Sequence, residues 1–100
     1  MEIAINYQGD LGTGLAKIQI QEDANFLQLI QLFHVAIGKT ATYTIQAGVP
    51  PHRHSINVTY EYLIFYGDNQ IEDFKLCLNE IPICNGNTIT LIVEGGGKVD

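Results

Sequence analysis

Tryptophan is absent, methionine occurs once, and the two cysteines, Cys77 and Cys84, have neither CxxC spacing nor a neighbouring histidine. A single pair is too few for a disulfide framework, so both read as core thiols of a reducing compartment. Charge is also scarce. Charged residues make up 16% of the chain, where an average soluble domain carries roughly 25%. Only 5 are basic against 11 acidic, a net charge of −6. Binders of nucleic acid or of anionic membranes need a basic footprint, and this balance disfavours both classes of partner. Long apolar runs are missing too: Gln31, His34 and Asn79 interrupt them well short of the roughly 20 residues of a membrane span. Met1 opens a strand-like segment in place of a basic leader, so the expected setting is cytoplasmic. With 46% apolar residues in a chain of 100, what remains is one folded domain with one core.

Ile3 and Ile5 alternate with Glu2, Ala4 and Asn6, which predicts a strand over 2–7, and Ile18 and Ile20 mark a second. Residues 8–15, with three glycines and an aspartate, form the turn between them. A helical period follows over 24–37, with Phe26, Leu29, Ile30, Phe33, Ala36 and Ile37 on one face. Asp23 is its expected N-cap, and Gly38 with Lys39 ends it. Leu27, Leu32 and Val35 fall off the core stripe, and no charge stands between Asp23 and Lys39. That outer face is open either to packing by the rest of the chain or to self-association as a homo-oligomer. Strands are expected over 41–46 and 56–65, on either side of Gly48, Val49, Pro50 and Pro51, which cannot continue a ladder. Gly67, Asp68 and Asn69 turn the chain into a short return at Gln70 and Ile71. Residues 74–84 read as irregular turns, and 88–93 as a last, strongly apolar strand. The order gives an α+β fold, a mixed sheet with one main helix packed on it. A single-domain β-grasp, whose first and last strands are a parallel central pair, satisfies it.

The chain closes with Val93, Glu94, Gly95, Gly96, Gly97, Lys98, Val99 and Asp100, and upstream stands Leu63-Ile64-Phe65-Tyr66-Gly67-Asp68-Asn69-Gln70-Ile71-Glu72-Asp73. The upstream run resembles the strand, turn and return of ubiquitin with one residue added in the turn, and Thr88 to Val93 resembles the last strand that leads to its glycine tail. Longer segments at 39–47 and 52–62, and Glu94 as the only charge before Gly95, look more like the ubiquitin-like proteins of bacterial operons that encode E1-like, E2-like and JAB-type proteins. The resemblance implies a folded domain over 1–94 and a glycine tail over 95–100. It further implies a precursor cut after Gly96 or Gly97 by a JAB-type zinc peptidase, with Lys98, Val99 and Asp100 removed. An E1-like enzyme using ATP would then activate the terminal glycine, and an E2-like enzyme would pass it to target proteins. Ile64 resembles the centre of the hydrophobic recognition patch of ubiquitin, and Ile92 stands where a patch valine would be. Strand parity leaves open that Ile64 faces the core instead.

Chemistry of the chain's own is not legible: no catalytic constellation occurs, and His52-x-His54 lacks the third ligand that a metal requires. No bound cofactor or metal is expected. Glycine suits a tail that others process, because a residue without Cβ lets a narrow channel close around extended backbone and exposes the carbonyl. Two other readings remain beside the modifier, a sulfur carrier with a glycine thiocarboxylate and an interaction module without tail chemistry.

Overall fold

The computed structural model describes residues 1–47, 54–81 and 87–95, the side chains of 43–47 and 54–58 excepted. Expectations for Gly48 to Arg53, Cys84 and Gly96 to Asp100 therefore lie outside the described residues, as does the His54 side chain. The fold is α+β. Strands β1 (Glu2–Gly9) and β2 (Gly14–Gln19) form the first hairpin, followed by helix α1 (Phe26–Ile37). The ribbon β3 (Thr42–Ala47) and β4 (His54–Thr59) comes next, then the hairpin β5 (Glu61–Tyr66) and β6 (Asn69–Ile71), and last β7 (Thr88–Glu94). Five strands make one mixed sheet in the order β2-β1-β7-β5-β6, and β3 with β4 makes a separate two-stranded sheet. No helix among the described residues is long and apolar enough to cross a membrane.

The first and last strands pair in parallel at the centre, as expected from the element order, with Ile5 opposite Ile89, Tyr7 opposite Leu91 and Gly9 opposite Val93. On its other edge β7 runs antiparallel to β5, setting Val93 against Tyr62 and Leu91 against Ile64. Ile3, Ile5, Ile18, Ile64, Ile89, Leu91 and Val93 all point to one face and are buried. Phe26, Leu29, Ile30 and Phe33 of α1 close over them. Burial of each such side chain contributes roughly 1.5–3 kcal/mol, so this single interface holds the layers together.

The β1–β2 turn is shorter than the expected 8–15, and three further departures from the sequence reading have a local reason. The N-cap is Asn25, not Asp23. Its Oδ1 accepts from the Gln28 N–H at 3.0 Å while Gln28 Oε1 accepts from the Asn25 N–H at 2.9 Å. This reciprocal box satisfies two otherwise orphaned donors, whereas Asp23 has Phe26 at the matching position and lies in the preceding turn. The core stripe of the helix is turned toward His34, which is buried, and Ala36 is exposed. The expected strand 56–65 is two strands broken at Tyr60, because β4 pairs with β3 while β5 joins the main sheet. Residues 74–81 are irregular as expected, with a 3₁₀ turn at Leu78–Glu80. Leu78 is fully buried and its N–H donates to Ala24 O at 2.8 Å, which closes the end of the core beside the helix start. Cys77, expected in the core, is only half-buried.

Gly9 is the tightest point of the sheet. Its φ is +118°, and a Cβ there would stand 2.0 Å from Val93 O. Gly12 has a similar backbone conformation (φ +99°) with nothing within 4 Å of its would-be Cβ. Gly12→Ala is therefore expected to cost about 1 kcal/mol from conformation alone, and Gly9→Ala about 3 kcal/mol or more, since backbone must move as well. Urea unfolding of the two variants measures the difference.

Candidate functional site

Where the last strand leaves the sheet, three segments converge on it. On one side the turn after β1 wraps the strand end: the Asp10 N–H donates to Val93 O at 2.9 Å, and the Gly95 N–H donates to Asp10 Oδ2. On the other side Glu61 of β5 lies directly opposite Glu94, a like-charge pair that costs free energy in a sheet. Of the expected tail residues the structure thus describes Gly95, tied at its amide to a residue at the far end of the sequence. Neither Gly9 nor Asp10 was singled out from the sequence. The glycines of that turn are its only local signal, and nothing near Asp10 announces a partner so distant in the chain.

The third segment is the end of α1. Gly38 caps it in the left-handed conformation, and the Lys39 ammonium reaches Leu11 O at 3.2 Å. His34 sits in this last turn, 5% exposed. Its Nδ1 lies 3.2 Å from Lys39 O, which only accepts, so Nδ1 carries the proton and Nε2 accepts from the Tyr62 hydroxyl at 2.6 Å. Tyr60 stacks on the imidazole, with ring centroids 6.0 Å apart. Burial lowers the His34 pKa below its ordinary 6.5, partly opposed by the hydrogen bond to Lys39. Burial pushes the Tyr62 phenol up to about 12, assisted by Tyr60. A neutral imidazole therefore bridges the helix end to the strand beside Val93.

The sign of the pH effect follows. A folded pKa below the unfolded one means that unfolding takes up a proton, so the His34 contribution to stability is present above pH 6.5 and is lost as pH falls toward the folded pKa. Thermal unfolding between pH 7.5 and 5, values on the order of the ordinary histidine range, is expected to show Tm falling with pH. His34→Gln lowers Tm at neutral pH and flattens the slope.

The outer face of the sheet corrects one expectation. Ile64 is 1% exposed and belongs to the core, not to a surface patch. The β5 register decides this, since Ile64 is opposite Leu91 and Ile71, both buried. Its neighbours Leu63 and Phe65 face outward, and Leu63 lies across from the half-buried Ile92. An apolar row of Leu63, Phe65 and Ile92 thus takes the place of the expected pair Ile64 and Ile92, with Glu61 and Glu94 beyond it toward the tail. Ile64→Ala is expected to cost about 2–5 kcal/mol in urea unfolding, as buried truncations do. Leu63→Lys should change stability by less than about 1 kcal/mol.

On the helix, Leu27, Leu32 and Val35 are exposed at 44%, 38% and 77%; Leu32 lines a pocket with Met1, Gln19 and Ile20 beside β2, so the three do not share one face. Among the described residues no three His, Cys, Asp or Glu side chains are grouped as a metal site. Comparison with family models, with curated proteins and with solved structures finds no match for this chain.

Proposed function

We propose that this chain is a β-grasp, ubiquitin-like protein modifier whose chemistry takes place at a glycine carboxylate supplied by its own tail. The observation that carries the reading is the central last strand, which passes directly into Gly95 at an accessible corner of the sheet, with Gly96 and Gly97 following in sequence. A strand gripped on both edges gives a partner enzyme a rigid body to hold while it works on the segment that follows.

In this reading a JAB-type zinc peptidase cuts after Gly96 or Gly97, and Lys98, Val99 and Asp100 leave as a peptide. Metal-bound water supplies the nucleophile for that hydrolysis. The new carboxylate oxygen attacks the α-phosphorus of ATP on an E1-like enzyme and expels pyrophosphate. A cysteine or serine of the activating enzyme then takes the acyl group with loss of AMP, an E2-like enzyme accepts it by exchange, and a target amine displaces that enzyme to form an amide. The modifier is the substrate throughout, in a cytoplasmic setting. The row Leu63, Phe65 and Ile92 is the docking face for these partners, and the acidic pair Glu61 and Glu94 calls for basic residues around the channel that receives the tail.

Chains ending at Gly97 or Gly96 are expected to form an ATP-dependent adduct with an E1-like enzyme. Replacement of both Gly96 and Gly97 by leucine abolishes it, because Cβ atoms obstruct the approach to the acyl carbon. Non-reducing gels and intact mass read the result. Equal adduct from the leucine variant excludes tail chemistry, and a thiocarboxylate mass on the truncated chain replaces the modifier with a sulfur carrier.

A further inference from the structure

We infer that Asp10 is a positioning residue for the tail: its carboxylate fixes the Gly95 amide and so defines the point at which the acyl donor segment begins. The inference rests on the reading of the tail as a substrate. Three contacts converge on this corner. Gly9 lies against Val93 where no side chain fits, the Asp10 N–H holds Val93 O at 2.9 Å, and Asp10 Oδ2 accepts the Gly95 N–H. The first two fasten the end of β7. The third extends the hold one residue past the strand, to an amide that the sheet itself leaves unpaired.

A hydrogen bond from an amide to a carboxylate is charge-assisted and stronger than a neutral one. The hold reaches Gly95, the residue directly before Gly96 in the sequence. A donor ending at Gly97 has two residues of reach, at most about 7 Å from Gly95. An enzyme that captures the acyl carbon within that radius must also accommodate the turn carrying Asp10, so the turn is part of the surface recognised with the tail. Without the Asp10 carboxylate the last held residue is Glu94, beside the Glu61 charge. Pre-ordering of this kind favours reaction by removing freedom before the encounter.

The test compares wild type with D10N and D10A. Asparagine keeps an oxygen acceptor without the charge, whereas alanine removes both. Amide hydrogen exchange at Gly95 is expected to be about fivefold faster in D10A than in wild type, on the scale of one hydrogen bond, and intermediate in D10N, which keeps a neutral acceptor. Exchange at Ile5 and Leu91 reports an intact core. Glutamyl endopeptidase, read by the product ending at Glu94, is expected to cut the Glu94–Gly95 bond about fivefold faster in D10A. With a JAB-type peptidase, kcat/KM for D10A should fall about fivefold below wild type and recover in part in D10N. Unchanged Gly95 exchange in D10A overturns the clamp. Faster exchange with unchanged peptidase processing overturns its role in positioning. Failure of the peptidase on wild type removes the tail-substrate reading instead, and with it the positioning role, while exchange and endopeptidase cleavage still decide whether the clamp exists.

Discussion

The parallel pairing of β1 with β7 is the contact on which the rest of the molecule depends. It joins the two ends of the sequence at the middle of the sheet, and it buries Ile5, Ile89, Leu91 and Val93 under the helix. A parallel pair cannot be closed by a tight turn, so the whole intervening chain is spent on the crossover. The contact is therefore long-range, of the kind that slows folding because loop closure precedes its reward. Because β7 is central, its last residue emerges between two neighbours, which makes the exit a defined place on the body.

Much of this architecture was legible in the sequence. Alternation at Ile3 and Ile5, and again at Ile89, Leu91 and Val93, names a face for both central strands, and the helix stripe names its mate. The cap was legible as well, since Asn25 and Gln28 stand at capping-box spacing, but the charges of Glu22 and Asp23 drew the boundary two residues early. Ile64 was not legible. From Tyr62 to Tyr66 every residue is apolar or aromatic, so alternation offers no choice between faces, and only the pairing with Leu91 and Ile71 supplies one. The break at Tyr60 is hidden for a similar reason: the pattern on both sides is strand-like, and a change of sheet leaves no mark on local propensity. The tie between Asp10 and Gly95 was out of reach of any periodicity, because its two ends are 85 residues apart.

The polar groups near the exit divide into two kinds. His34 is buried and Tyr62 half-buried; the two are mutually satisfied and held uncharged, and they stiffen the join between helix end and sheet. Asp10, Glu61 and Glu94 are exposed acids, and the opposition of the two glutamates costs the sheet something that isolated folding does not return. A basic surface brought against them would relieve that cost only on contact.

The ribbon of β3 and β4 belongs to neither layer. Thr42 pairs with Thr59 at its base, so the chain returns beside the place from which it departed. To the five-stranded sheet the ribbon is topologically one long connection whose two feet are already tied. Its length and composition can drift, and a foreign hairpin can be grafted onto those feet, without changing the register of β5 against β7. Such a feature is a free variable of the fold: what lies between its feet does not enter the pairing of the five strands.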